Sequence, residues 1–174
     1  HYAKSIYNDF DIKVIKKALG KTLCIYPMHD IENFHYVGST ERFIEYVKRI
    51  KNEHNYDTVL VSMYFVDIER GRHFEYEKEG WHIVSAGRRE NYDFNNCMKT
   101  IIALADYAIV EGYASVISYC IYMGVPVTIF HKDFTFMERG VDKLSNENGI
   151  PSETQHLFDE MFESYDEKIS QEKY

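Results

Sequence analysis

The chain has 174 residues, of which 45% are hydrophobic, so it is long enough to bury the core of one domain. Its net charge of −8 and its lack of a basic cluster argue against a nucleic acid or an anionic membrane as partner. No apolar segment approaches the roughly 20 residues of a membrane span and no signal-peptide pattern opens the chain, so we expect no transmembrane segment.

The first half of the chain alternates apolar runs with helical or polar stretches. In chain order we predict a helix at 11–19, a strand at 21–26, a loop at 28–39, a helix that begins at Thr40, a strand at 57–65, a short helix or irregular crossover at 67–80 and a strand at 81–86. The strands are almost uninterrupted apolar runs, which is typical of strands buried on both faces of a parallel sheet. Thr40 suits an N-cap, and the helix after it has apolar residues at helical spacing.

The second half contains the stretch that predicts the fold most directly. Its elements are, in chain order, a loop at 87–92, a helix capped by Asp93, a strand at 107–110, a helix at 115–123, a strand at 127–130 and a loop at 131–151. Gly124 suits the position after a helix, and Pro126 prevents the helix from continuing. The strand–helix–strand unit that results predicts two parallel strands joined by a right-handed crossover.

Five strands that alternate with helices predict an α/β fold, a doubly wound (Rossmann-like) parallel sheet of about five strands with flanking helices in a single domain. The expected organisation is a linker or N-terminal helix at 1–20, the Rossmann-like domain at 21–151 and a C-terminal helix at 152–174 that packs on it. In the strand order 3-2-1-4-5, the first and fourth strands are neighbours and the winding of the sheet reverses between them.

Open α/β sheets bind ligands at the carboxyl ends of their strands, in the crevice where the winding reverses. The loops after the first, third and fourth strands meet there, and they contain the candidate binding residues His29, Arg88, Arg89, Glu111, Gly112, Tyr113 and Ser115. Cationic groups and helix N–H donors suit phosphate, a carboxylate suits ribose hydroxyls and a tyrosine stacks on a base. The residue types therefore indicate a nucleotide.

Structural roles compete with binding at these positions. His29 can bond to its own backbone, and Arg88 and Arg89 can pair with surface acids. Ser115 can serve only as a helix cap, and Glu111 can accept the N–H groups of the turn that follows it. Because a phosphate is repelled by a carboxylate, we do not expect Glu111 to bind phosphate directly. No G-x-G-x-x-G, P-loop or nucleophile-elbow motif is present, which argues against NAD, Walker-type ATP and hydrolase functions.

The three cysteines, Cys24, Cys97 and Cys120, lie within apolar periodic segments. Their odd number and scattered spacing favour buried, reduced thiols over disulfides or a zinc site. We therefore predict no metal centre and a reducing compartment.

Four segments, taken in order, resemble a known family of enzymes. They are YPMH at 26–29, VSMYFVDI at 61–68, GWHIVSAGRREN at 80–91 and DFNNCMKTIIALADYAIVEGYASVISYCIYMGVPV at 93–127. Together they are similar to the carboxyl-terminal half of bacterial GT-B-type glycosyltransferases, in particular the capsule- and lipopolysaccharide-associated group related to polysialyltransferases. That group has a Pro/His loop after one strand, a Gly-His segment in another loop, and a Ser-Asn-x-x-Gly-Thr-like turn before a helix that ends in Gly-x-Pro.

The resemblance implies the donor-nucleotide-binding domain of an enzyme of surface polysaccharide synthesis, with a nucleotide sugar as substrate and no cofactor. It also implies an acceptor domain on the amino-terminal side and a cytoplasmic location, peripheral to the inner membrane. His29 corresponds to the loop histidine that contacts the donor phosphate, and Ser115 to the hydroxyl residue of the second motif. Arg88 stands where the family has His, and Glu111 and Gly112 stand where it has Ser-Asn.

Two other functions remain open at the level of sequence. One is a small, complete nucleoside deoxyribosyltransferase-like or phosphoribohydrolase-like enzyme with Glu111 as nucleophile, although the Pro-Gly-Gly-x-Gly-Thr signature and a well-placed second acid are lacking. The other is a non-catalytic nucleotide or sugar sensor, or an oligomerisation module. Neither the sugar, the base, the acceptor nor the oligomeric state follows from the sequence.

Overall fold

The computed structural model describes the backbone of residues 9–29, 34–37, 40–130, 135–138 and 144–145, and the side chains of 11–29 and 40–130. In chain order its elements are α1 (Asp9–Leu19), β1 (Thr22–Tyr26), β2 (Phe34–Val37), α2 (Thr40–Glu53), β3 (Thr58–Ser62), α3 (Phe65–Glu69), α4 (His73–Glu77), β4 (His82–Val84), α5 (Phe94–Leu104), β5 (Tyr107–Glu111), α6 (Val116–Tyr122), β6 (Val127–Phe130), β7 (Thr135–Glu138) and β8 (Leu144–Ser145).

Within the described residues, the larger sheet has five strands, all parallel, in the order β4-β3-β1-β5-β6. The predicted doubly wound α/β sheet is thereby confirmed, and so is the adjacency of its first and fourth predicted strands, which are β1 and β5. Their register pairs Leu23 with Tyr107 and Tyr26 with Val110, so both strands end at the same edge. The winding reverses between them, which leaves a crevice at that edge.

Both faces of the sheet are covered, and this explains why β1 and β5 are buried along their whole length. Alternate residues of a strand point to opposite faces. On one face Cys24, Ala108 and Val110 pack in a cluster with residues of α5 and α6, and on the other face Leu23 and Ile109 pack in a cluster with residues of α2. The continuous apolar runs in the sequence are therefore the consequence of helices on both sides.

Two of the predicted loops contain strands. The predicted loop 28–39 contains β2, which pairs antiparallel with β7 from the predicted loop 131–151, and β7 pairs antiparallel with β8. The prediction of loop was wrong there because strand partners so far apart along the chain leave no hairpin signal in either segment. The crossover 67–80 contains the end of α3 and all of α4. The predicted helix at 152–174 lies outside the described residues.

The cysteines differ from one another in burial. All three are free thiols; Cys24 and Cys120 are fully buried, whereas Cys97 is half-buried. The prediction of a buried Cys97 was wrong because Cys97 lies in the amino-terminal half of α5, whose residues are intermediate or exposed, whereas the buried residues of this helix begin at Thr100. In the ranges that the structure describes, no helix is long and apolar enough to cross a membrane.

Candidate functional site

A cavity of about 550 Å³ opens at the carboxyl edge of the sheet, where β1 and β5 lie side by side. It is formed by the ends of β1, β3 and β5, by the loops after β1, β3 and β4, and by the first turns of α5 and α6. Five of the seven candidate residues line it, namely His29, Arg89, Glu111, Tyr113 and Ser115. The fold thus brings together residues from three separate loops at the place where the winding reverses.

Arg88 and Gly112 do not line this cavity. The Arg88 guanidinium lies 4.2 Å from the ring centroid of Phe65, and its Nη2 lies 3.7 Å from Oε1 of Glu69. The backbone N–H of Gly112 donates to the carbonyl of Phe130 at 2.9 Å. Arg88, in the loop after β4, therefore contacts the segment after β3. Gly112 continues the pairing of β5 with β6.

Glu111 forms part of the floor of the cavity. It is 3% exposed, and its Oε2 accepts the backbone N–H of Met28 at 2.9 Å. Burial, and next the nearby Glu111 carboxylate, raise the pKa of the Tyr76 phenol. The carboxylate is thus held at the end of β5 by the backbone of the loop after β1, whereas the sequence suggested the N–H groups of the turn after Glu111 as its structural partners.

Tyr64 is a lining residue that the sequence analysis missed. Its ring centroid lies 5.1 Å from that of His29, and the Cζ atom of Arg89 lies 5.8 Å from the same centroid. Phe65 packs against the Tyr64 ring edge-on at 4.7 Å. In the run VSMYF this tyrosine reads as part of a buried strand, but β3 ends at Ser62. β3 ends three residues before the end of the predicted strand at 57–65, and only that earlier end would have placed Tyr64 in the loop after the strand.

The opposite wall of the cavity is apolar. It is built from the first turns of α5 and α6, through Phe94, Met98, Val116 and Tyr119. The sequence indicated only that these are apolar residues of two helices, and three of them, Phe94, Met98 and Tyr119, are half-buried. Periodicity alone does not separate a core face from a ligand-binding wall, since both are apolar.

Ser115 is exposed and stands directly before α6, which has seven residues. Its backbone is already helical, with φ −58° and ψ −22°, and its side chain makes no capping hydrogen bond. The structure therefore shows no capping hydrogen bond from Ser115, and the residue lines the cavity.

Comparisons of the chain with protein-family models, with curated proteins and with solved structures find no match.

The lining of the cavity differs from side to side. One wall carries an imidazole and a guanidinium, the floor carries a carboxylate, and another wall is aromatic and contains a methionine. Such a cavity suits an elongated ligand with an anionic end, hydroxyl or N–H groups in the middle and a flat apolar end. Among the described residues, no group of three His, Cys, Asp or Glu side chains is placed to hold a metal ion.

Proposed function

We propose that this chain is the donor-nucleotide-binding domain of a glycosyltransferase of surface polysaccharide synthesis, with a nucleotide sugar as its substrate. The observation that supports it is the cavity of about 550 Å³ at the reversal of a doubly wound sheet. Its volume lies within the roughly 300–1,000 Å³ of typical small-molecule sites. Cavities at this position in such sheets commonly bind nucleotides, so position and lining favour the same class of ligand.

The lining suggests how a nucleotide would be oriented. The phosphate lies against His29 and Arg89, because these are the lining side chains that can donate hydrogen bonds from a positively charged group. The base lies against the wall that contains Phe94 and Tyr119, where stacking and apolar contact stabilise it. The ribose lies over Glu111, whose carboxylate accepts bonds from hydroxyl groups but repels phosphate.

In the proposed reaction, an acceptor displaces the nucleotide at the anomeric carbon of the donor sugar. Negative charge then develops on the phosphate of the leaving nucleotide, and His29 and Arg89 stabilise it. The resemblance to GT-B enzymes assigns the acceptor and the general base to a second domain. We therefore expect this chain to bind the donor without transferring its sugar at an appreciable rate.

The geometry gives less support to a deoxyribosyltransferase-like enzyme with Glu111 as nucleophile. A carboxylate that is 3% exposed and accepts a backbone N–H is fixed in place and is poorly accessible to a sugar carbon. A non-catalytic nucleotide sensor would use the same cavity. It differs from the donor-binding domain in that it would not support sugar transfer when joined to an acceptor domain.

The first test is a thermal-shift screen of CMP, UDP, GDP and adenine nucleotides, followed by calorimetry of any that bind. A nucleotide at 100 times its dissociation constant should raise the free energy of unfolding by about 2.7 kcal/mol. The matching nucleotide sugar should compete for the same site and remain intact. Failure of all these nucleotides to bind at millimolar concentration would contradict the proposal, and release of free base from a nucleoside would favour the Glu111 nucleophile instead.

A further inference from the structure

Tyr64 joins two candidate anion-binding groups that come from different loops. His29 follows β1, Arg89 follows β4, and both side chains lie within 6 Å of one tyrosine ring, at 5.1 Å and 5.8 Å from its centroid. All three residues line the cavity. Tyr64 itself lies in the loop after β3. The loops after three neighbouring strands, β1, β3 and β4, therefore meet at its ring.

The contact between Arg89 and Tyr64 is of the cation–π kind, with the Cζ atom 5.8 Å from the ring centroid. An arginine over an aromatic ring uses its flat face for the contact, while its N–H donors point outward in the plane of the group. Those donors match the oxygen atoms of a phosphate in a bidentate manner. The contact with the Tyr64 ring thus favours one placement of the guanidinium without using its N–H donors.

Arg88 and Arg89 are adjacent in the chain but differ in their partners. Arg88 contacts the carboxylate of Glu69 at 3.7 Å, outside the cavity. Among the side chains that the structure describes, no carboxylate forms an ion pair with Arg89. The cation–π contact with Tyr64 is consistent with a guanidinium that is oriented but not neutralised, as an anion-binding group requires.

We propose that His29, Tyr64 and Arg89 form the anion-binding wall of the crevice, in which Tyr64 is a positioning residue that aims the other two at the phosphate of the ligand. This inference rests on the proposed nucleotide-binding function. It assigns the phosphate to the side of the crevice formed by the loops after β1, β3 and β4. The short helix α6 and Ser115 then lie at the other side of the ligand.

The test uses calorimetric titration of the full chain with inorganic pyrophosphate, with CMP, UDP and GDP, and with their uncharged nucleosides. Tyr64→Leu keeps apolar bulk but removes the π face, and Tyr64→Phe keeps the ring. We expect Tyr64→Leu to weaken binding of pyrophosphate and of the preferred nucleotide about tenfold, with nucleoside affinity changed less than about twofold. Tyr64→Phe should stay within about twofold of the wild type for every probe.

A double-mutant cycle separates positioning from general packing. Arg89→Ala should weaken nucleotide binding roughly ten- to a hundredfold, and adding Tyr64→Leu to it should weaken binding less than Tyr64→Leu weakens the wild type, because the ring can then act only through His29. Tyr92→Leu is the matched control. Tyr92 lies near Arg89 in the loop after β4, is 92% exposed and does not line the cavity.

The outcomes distinguish this inference from the function on which it rests. Nucleotide binding that Tyr64→Leu leaves unchanged, or effects of Tyr64 and Arg89 that simply add, would overturn the positioning role and leave nucleotide binding intact. Equal losses for nucleotides and nucleosides would also overturn it, because they would indicate general packing. A wild-type chain that binds neither pyrophosphate nor any nucleotide would overturn both proposals.

Discussion

The Glu111 carboxylate accepts the backbone N–H of Met28 at 2.9 Å, and both residues are buried. This bond joins the end of β5 to the loop after β1 at the point where the sheet reverses. The two sides of the crevice are thus connected by a charged hydrogen bond across its floor. A change in that bond should affect the stability of the sheet edge and the shape of the cavity together.

The first prediction concerns the acceptor in this bond. Glu111→Ala leaves the N–H of Met28 buried without its partner, so we expect a loss of about 1–3 kcal/mol in the free energy of unfolding. Glu111→Gln keeps a carbonyl oxygen in place and should cost clearly less. Urea denaturation of both variants measures the difference. Equal losses would show that the charge, and not the acceptor, stabilises this edge.

The second prediction compares two glycines with the same backbone conformation. Gly20 and Gly124 both have φ +70°, which disfavours any residue with a Cβ. A Cβ at Gly20 would lie 2.9 Å from the Cβ of Asp57, whose carboxylate accepts the N–H of Lys21 at 2.7 Å, whereas nothing lies within 4 Å at Gly124.

Gly124→Ala should therefore cost only the conformational penalty, about 1–2 kcal/mol. Gly20→Ala should cost more, because the added methyl displaces Asp57 and weakens its hydrogen bond with Lys21. The difference between the two midpoints in urea is the quantity to measure. Equal destabilisation by the two variants would mean that Asp57 moves aside without loss.

The third prediction is a loss of stability at alkaline pH. Burial raises the pKa of the Cys24 thiol from 9.0 to about 12, and burial also raises the pKa of Cys120. The folded state therefore keeps its thiol protons at a pH where the unfolded state has lost them. Stability from this source is complete below about pH 9 and is lost as the pH rises toward 12, by about 1.4 kcal/mol per pH unit for each thiol.

Urea denaturation between about pH 8 and pH 10 tests this. Cys24→Ala lowers stability throughout this range because it leaves a cavity, so the informative quantity is the change in stability with pH. Between about pH 8 and pH 10 the variant should lose about 1.4 kcal/mol less than the wild type in total. An unchanged slope in the variant would show that Cys24 does not contribute to the alkaline loss.

The fourth prediction concerns the accessibility of the thiols. Cys97 is half-buried at the start of α5, whereas Cys24 and Cys120 are fully buried. A thiol reagent should modify Cys97 first in the native protein and the other two only after unfolding. Cys97→Ala should abolish the early reaction. Persistence of the early reaction in that variant would mean that one of the two core cysteines becomes exposed by local opening.

The sequence predicted the parallel sheet because burial on both faces leaves a direct trace, as in the run that became Tyr107–Glu111. Pairing of β2 with β7 left no such trace, since the partner strand is far along the chain. The position of the crevice could be predicted from the strand order, but the residues that line it could be predicted only in part. Tyr64 was missed because its significance depends on His29 and Arg89, which only the folded chain brings to its ring.

The fifth prediction separates a ligand role for Ser115 from a structural one. Ser115 lines the cavity but makes no capping bond, whereas Ser118 is exposed on α6 and does not line the cavity. Ser115→Ala should leave the free energy of unfolding within about 0.5 kcal/mol of the wild type, because no hydrogen bond within the protein is lost. Ser118→Ala should raise it by a few tenths of a kcal/mol through helix propensity.

Nucleotide affinity should respond in the opposite pattern. Ser115 lies on the side of the ligand away from the phosphate, so a hydrogen bond from its hydroxyl would be to a neutral acceptor, and its loss in Ser115→Ala weakens binding up to about tenfold. Ser118→Ala should not change affinity, because its hydroxyl lies outside the cavity. Calorimetric titration of both variants, together with their thermal melts, measures both quantities. A loss of stability of about 1 kcal/mol in Ser115→Ala with unchanged affinity would restore the capping role and remove Ser115 from the binding site.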